Sequence, residues 1–220
     1  MTDSKDNRIR VKVCGLTSLE DARFAAGALA DYLGFIFYEK SPRYLEPAKA
    51  GAIINWIEGP ETVGVFVNQP LDDVNMIARE TGIDLVQLHG NESPDYCQLI
   101  DRPVIKVFHV GEGTDAAALN SEIEPYRGVV DYLLFDTKTD QLWGGTGLAF
   151  NWNLLNELSQ ETPFFLSGGL KRANIAGACG TVRPWAVDLS SGLEESPGVK
   201  DFDKIEAFFE EMEKINESDS

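Results

Sequence analysis

Positive charge is scarce in this chain. Its 220 residues carry 19 Lys and Arg against 36 Asp and Glu, a formal net charge of −17. A surface of that sign repels polyanions, which argues against nucleic acid and against anionic membrane surfaces as partners. If the ligand is itself an anion, its pocket must be locally positive against the overall field. Cysteine is equally sparse. Cys14, Cys97 and Cys179 are too few and too irregularly spaced for a disulfide framework or a zinc site, and a reducing, cytoplasmic setting is expected. Cys97 and Cys179 fall in stretches with helical spacing and read as packing residues. Only His89 and His109 are present, which argues against a histidine-rich catalytic metal site. There is no apolar run of about 18 residues, so no membrane span is expected. The opening MTDSKDNRIR has no apolar signal-peptide core.

What is abundant is a repeated alternation. With 43% hydrophobic residues the chain can bury one substantial core, and a single domain over 1–220 is expected, with loose tails at 1–8 and about 216–220. Short β-forming runs occur at IRVKVC (9–14), YLGFIF (32–37), TVGVFV (62–67), LVQLH (85–89), VIKVF (104–108), YLLFDT (132–137), PFFLS (163–167) and AVDLSS (186–191). Between them lie segments with helical periodicity, such as 18–30, 48–58 and 71–80. The last, 202–215, puts Ile205, Phe208, Phe209 and Met212 on one face. Eight β-then-α units in one chain predict an α/β fold, a single (β/α)8 TIM barrel of parallel strands. An open doubly wound sheet is the alternative, but eight regular units close more naturally.

In such a barrel the chemistry sits on the loops that follow the strands. Side chains alternate along a strand, so Lys12 and Cys14 point the same way, about 6.6 Å apart. Cys14 at the rim is either a small packing residue or a thiol whose thiolate an interior Lys12 favours. Lys12 itself requires a partner, and Asp136 and Asp188 are the candidates. Asp136 ends an otherwise apolar strand. It reads either as a cap for the next loop or as a partly buried general acid. The SGGL of 167–170 and the SSGLE of 190–194 follow the seventh and eighth strands. There the backbone N–H groups of Gly168, Gly169, Ser190, Ser191 and Gly192 suit a phosphate. Arg43, stiffened by Pro42, is either a solvated arginine or a bidentate grip on a carboxylate. His89 shares a strand face with Gln87 and points to the same mouth, where a structural, hydrogen-bonded role competes with a ligand-facing one. The glycine-rich WGGTG (143–147), within the 138–147 loop, is either a lid or an undemanding turn.

Taken together, KVCGLT, DARFAAGALADYLGFIF, SPR, VGVFVN, VQLHG, FDT, GGTG, LSGGL and DLSSGLE with PGVKD occur in this order. From about residue 9 to 209 the chain closely resembles the phosphoribosylanthranilate isomerases of tryptophan biosynthesis. The resemblance implies a TIM barrel and an Amadori rearrangement of N-(5-phosphoribosyl)anthranilate, with no cofactor and no metal. It carries the general base onto Cys14 and the general acid onto Asp136. It also carries the anthranilate-carboxylate anchor onto Arg43 and the phosphate loops onto Gly168, Gly169, Ser190, Ser191 and Gly192. Lys12 and His89 are added as substrate-facing residues. The expected partner is a small anionic substrate, and the family occurs as monomers and homodimers. One departure is visible: the family often has F-D-W after G-T-G, whereas this chain has Phe150-Asn151-Trp152. Asparagine still caps a helix. Two rivals stand beside this reading. A histidine-pathway aminoaldose isomerase resembles a two-aspartate site, which Cys14 argues against. A barrel that only binds phosphate ligands has no need of both Cys14 and Asp136.

Overall fold

The computed structural model describes residues 8–111, 113–137, 151–158 and 162–218. The expected 138–147 loop with its WGGTG stretch lies outside them. Eight parallel strands form a closed barrel in sequence order. They are β1 (Arg10–Cys14), β2 (Tyr32–Ile36), β3 (Glu61–Phe66), β4 (Leu85–Leu88), β5 (Val104–Val110), β6 (Tyr132–Thr137), β7 (Phe164–Leu166) and β8 (Ala186–Leu189). The crossovers are α1 (Leu19–Gly27), α2 (Pro47–Ile54), α3 (Leu71–Thr81), α4 (Pro94–Gln98), α5 (Ala116–Ile123) and α6 (Arg172–Val182). A small antiparallel hairpin, β9 (Glu194–Ser196) and β10 (Val199–Lys200), precedes the closing helix α7 (Phe202–Ser218).

Strand alternation divides the core in two. Residues of one parity, among them Val63, Leu85, Ile105, Val107, Leu134 and Phe165, fill the barrel interior. Residues of the other parity, such as Phe35, Phe66 and Phe135, face the helices. These three rings and Phe208 of α7 are wholly enclosed, so truncating any one of them costs about 3–5 kcal/mol. Helix starts are chemically marked. Ser18 accepts a hydrogen bond from the Asp21 N–H at 3.0 Å, and Glu20 and Asp21 complement the helix dipole.

Two expectations change. The sixth crossover, expected as a helix from Asn151, is a 3-10 stretch over Trp152–Glu157 among the described residues. Asn151 does cap it, accepting from the Asn153 N–H at 3.2 Å. The weak helix formers Asn153 and Asn156 and the approaching Pro163 limit its extension. Some of the residues expected in loose tails are also held in place. Arg8 is hydrogen-bonded to Asp31, and α7 runs to Ser218. The Asn216 side chain brackets Ile9, accepting from its N–H at 2.8 Å and donating to its carbonyl at 3.2 Å.

Candidate active site

The C-terminal ends of the strands surround one cavity. Cys14 of β1, Asp136 of β6 and His89 just beyond β4 line it, as does Arg43 from the loop after β2. The glycines and serines after β7 and β8 complete the wall: Gly168, Gly169, Ser190, Ser191 and Gly192 all border it. Every candidate site residue named in the sequence is therefore brought to one place, with one exception among the described residues. Lys12 is fully buried one layer below, where it donates to Asp188 Oδ1 at 2.8 Å, and it does not line the cavity. The reason is register: Lys12 and Asp188 are paired positions of β1 and β8, so both side chains enter the interior at the same height.

That pairing also bears on the thiol. Burial penalises the Cys14 thiolate. Lys12 favours it, but the Asp188 carboxylate beside Lys12 opposes it, and the balance lifts the Cys14 pKa above the usual thiol range. Lys12 loses by burial and gains more from Asp188 and Cys14, so it stays firmly protonated. In the free protein the thiol form of Cys14 is therefore favoured over the thiolate. Alkylation of Cys14 should accelerate only as pH rises beyond about 8.5, the ordinary thiol value. Asp188→Asn, which leaves Lys12 to act on the thiol alone, should move that midpoint down. Mass spectrometry of iodoacetamide-labelled Cys14 peptides across pH checks both; a wild-type midpoint below the ordinary value would contradict the first.

The space for the thiol is set by β2. Gly34 is the register partner of Cys14, and a Cβ there would sit 2.7 Å from Sγ. Around Asp136 the contacts are equally specific. Oδ1 accepts from the Thr137 N–H at 2.8 Å, while Oδ2 lies 3.5 Å from His89 Nε2. His89 Nδ1 is 3.1 Å from Gln87 Nε2, so Gln87 orients the ring. After β7, Gly168 and Gly169 both adopt positive φ, 85° and 65°, a consecutive pair that glycine alone takes at little cost. After β8 the chain makes a 3-10 turn, Ser191–Leu193, the short extra helix that barrels of this kind place at a phosphate.

Arg43 already holds a carboxylate. Its Nε and Nη2 donate to Glu194 Oε1 and Oε2 at 2.7 and 2.6 Å. Lys200 Nζ reaches the same Oε1 at 3.0 Å and also donates to the Cys14 carbonyl at 2.6 Å. Burial draws the Glu194 pKa up, but Arg43 and Lys200 outweigh it and hold the carboxyl below its usual range. This side-on grip uses two of the five guanidinium N–H groups, so Arg43 is fixed in place with donors to spare. Glu194 and Lys200 escape a sequence reading because strands of three and two residues carry no periodicity. The Ser196-Pro197-Gly198 turn between them was the available signal.

A family model described as N-(5'phosphoribosyl)anthranilate (PRA) isomerase matches residues 11–211. The chain belongs to that isomerase family. The N-(5'-phosphoribosyl)anthranilate isomerase of Geobacter metallireducens is 46% identical over 201 residues, spanning 91% of this chain and 96% of that protein. Among solved structures, phosphoribosyl anthranilate isomerase from Thermotoga maritima superposes with a TM-score of 0.84 at 37% identity, over 94% of this chain and 99% of that one. A phosphoribosyl anthranilate isomerase in complex with reduced 1-(o-carboxyphenylamino)-1-deoxyribulose 5-phosphate gives a TM-score of 0.80 at 35% identity, over 94% and 99% of the two chains. Membership in the phosphoribosylanthranilate isomerase family sets aside both the histidine-pathway rival and the purely ligand-binding barrel. It leaves open which residues do which part of the reaction.

Proposed function

We infer that the chain isomerises N-(5-phosphoribosyl)anthranilate to 1-(2-carboxyphenylamino)-1-deoxyribulose 5-phosphate with Asp136 as general acid and Cys14 as general base. The carrying observation is that a thiol and a carboxyl on β1 and β6 border one cavity, between an arginine on one side and two glycine loops on the other. A substrate with a carboxylate at one end and a phosphate at the other fits that polarity. Arg43 holds the carboxylate through donors not engaged by Glu194. The loops at 168–169 and 190–192 present backbone N–H groups to the phosphate.

The steps follow from charge. Asp136 gives its proton to the furanose oxygen as the C1′–O bond breaks, and the anthranilate nitrogen lone pair closes a C1′=N iminium. The iminium carries positive charge into the cavity, which acidifies the C2′ proton and favours the thiolate. The thiolate form of Cys14, its own proton given up to solvent beforehand, removes that proton and becomes the thiol, leaving an enolamine. Protonation at C1′ and loss of the enol proton then give the ketone. Gln87 and His89 act on Asp136 by fixing what its Oδ2 faces.

Loss of phosphoribosylanthranilate fluorescence measures the reaction. Asp136→Asn should lower kcat by about two to four orders of magnitude with little change in KM. Arg43→Ala should instead raise KM roughly ten- to a hundredfold, the loss of one charge-assisted contact. Wild-type kcat in Asp136→Asn would remove the acid assignment, and an unchanged KM in Arg43→Ala would remove the anchor.

A further inference from the structure

Beside the catalytic acid lies a histidine that the isomerisation does not require. His109 of β5 is the register partner of Asp136, so both enter the barrel mouth at one level. Its ring lies 5.0 Å from that of His89, centroid to centroid. One donor atom from each of His89, His109 and Asp136 falls within 4.8 Å of the others. Two imidazoles and one carboxylate are the donor set of borderline divalent ions such as Zn2+, not of Mg2+ or Ca2+.

One ligand pair already has the spacing of a bound ion, and His109 would have to close on it. Ligands at about 2.0–2.2 Å from tetrahedral zinc stand about 3.4 Å apart. His89 Nε2 and Asp136 Oδ2 are already 3.5 Å apart. His89 Nε2 is buried and makes no hydrogen bond, and neither does Gln87 Oε1 on the same strand face. Turning the Gln87 amide end for end satisfies Oε1 and leaves His89 Nε2 unprotonated and unbonded. His89 Nδ1–H then donates to Oε1, and Nε2 presents its lone pair towards Asp136, the outer-partner arrangement of metal-binding histidines. His109 Nε2 faces the His89 carbonyl at 3.3 Å, a second contact of the same type. Lys106, the lysine of β5, is neutralised by Glu92 at 2.9 Å, and the net charge of −17 favours cation entry.

We propose that His89, His109 and Asp136 form a binding site for a divalent transition-metal ion, represented by Zn2+, and that occupying it withdraws Asp136 from catalysis. The inhibitory half rests on Asp136 being the general acid; the binding half does not. The isomerase is then reversibly metal-inhibited, through a histidine that contributes nothing to turnover.

The test uses Co2+ as a spectroscopic probe and Zn2+ as the inhibitor on the purified full-length protein. Wild type should bind one equivalent of Co2+ with visible ligand-field bands. Zn2+ should lower its activity, and EDTA should restore it. His109→Phe keeps the ring packing and should retain basal activity. It should weaken Co2+ binding by at least about tenfold, the loss seen when even an outer partner of a ligand is removed, and lose zinc sensitivity. His109→Gln provides the same comparison should the phenylalanine variant fold poorly. No saturable Co2+ binding overturns the proposal. So does binding that persists in the His109 variants but vanishes in Cys14→Ala, which would place the ion on the thiol. Saturable, His109-dependent binding without inhibition would uphold the site and count against Asp136 as the acid.

Discussion

Cys14→Ala is expected to lower kcat/KM for phosphoribosylanthranilate by about two to four orders of magnitude, the usual worth of a positioned base, in a protein that folds as the wild type does. The fold is expected to survive because the substitution removes one sulfur atom that borders a cavity and leaves the strand pairing with β2 and β8 untouched. Near-ultraviolet circular dichroism and a urea melt check the fold; the fluorescence assay checks the chemistry. The control is built into the chain: Cys97 and Cys179 are buried on α4 and α6, away from the cavity, so their alanine variants should keep kcat/KM. Activity near the wild-type level in Cys14→Ala would mean that another group takes the C2′ proton. The raised thiol pKa gives a second signature. If Cys14 is the base in the free enzyme, kcat/KM should climb as pH rises past neutrality, because the deprotonated fraction increases in that direction.

Lys12→Met is expected to destabilise the fold strongly. It removes an ammonium with no exposed surface from beside a buried carboxylate, and an uncompensated charge of that kind costs about 3–5 kcal/mol. Lys12→Met combined with Asp188→Asn should recover much of the loss, since the neutral amide needs no counter-charge. Chemical denaturation of the two singles and the double, read as a double-mutant cycle, measures the coupling. Additive effects would mean that the 2.8 Å contact carries no energetic weight.

The barrel was legible because its signal is redundant. Each of the eight apolar runs overlaps a strand and ends within two residues of it, and a β-then-α alternation repeated eight times leaves little other topology open. The rim was legible for the same reason: once the strands are placed, period two assigns Cys14, His89 and Asp136 to the mouth. Energetic balances were not legible. That an interior Lys12 needs a partner is a sequence-level inference; that Asp188 is the partner, and that the pair then fails to lower the Cys14 pKa, depends on register between strands far apart in the chain. Arg43 shows the same limit. Its position after β2 suggested a carboxylate grip, but only the fold reveals that Glu194, from a hairpin too short to announce itself, already occupies one edge of the guanidinium.

The seam between β1 and β8 has a consequence for how the chain is made. Lys12 and Asp188 are separated by 176 positions, so a ribosome releases the first almost a whole protein before the second. Throughout that interval β1 has one edge without its strand and an ammonium that stays hydrated until the ring can close. A nascent chain stopped short of β8 would expose two unpaired edges, on β1 and on β7, and such edges recruit strands from other chains. The last thirty-odd residues thus decide whether everything made before them becomes a barrel or an aggregate.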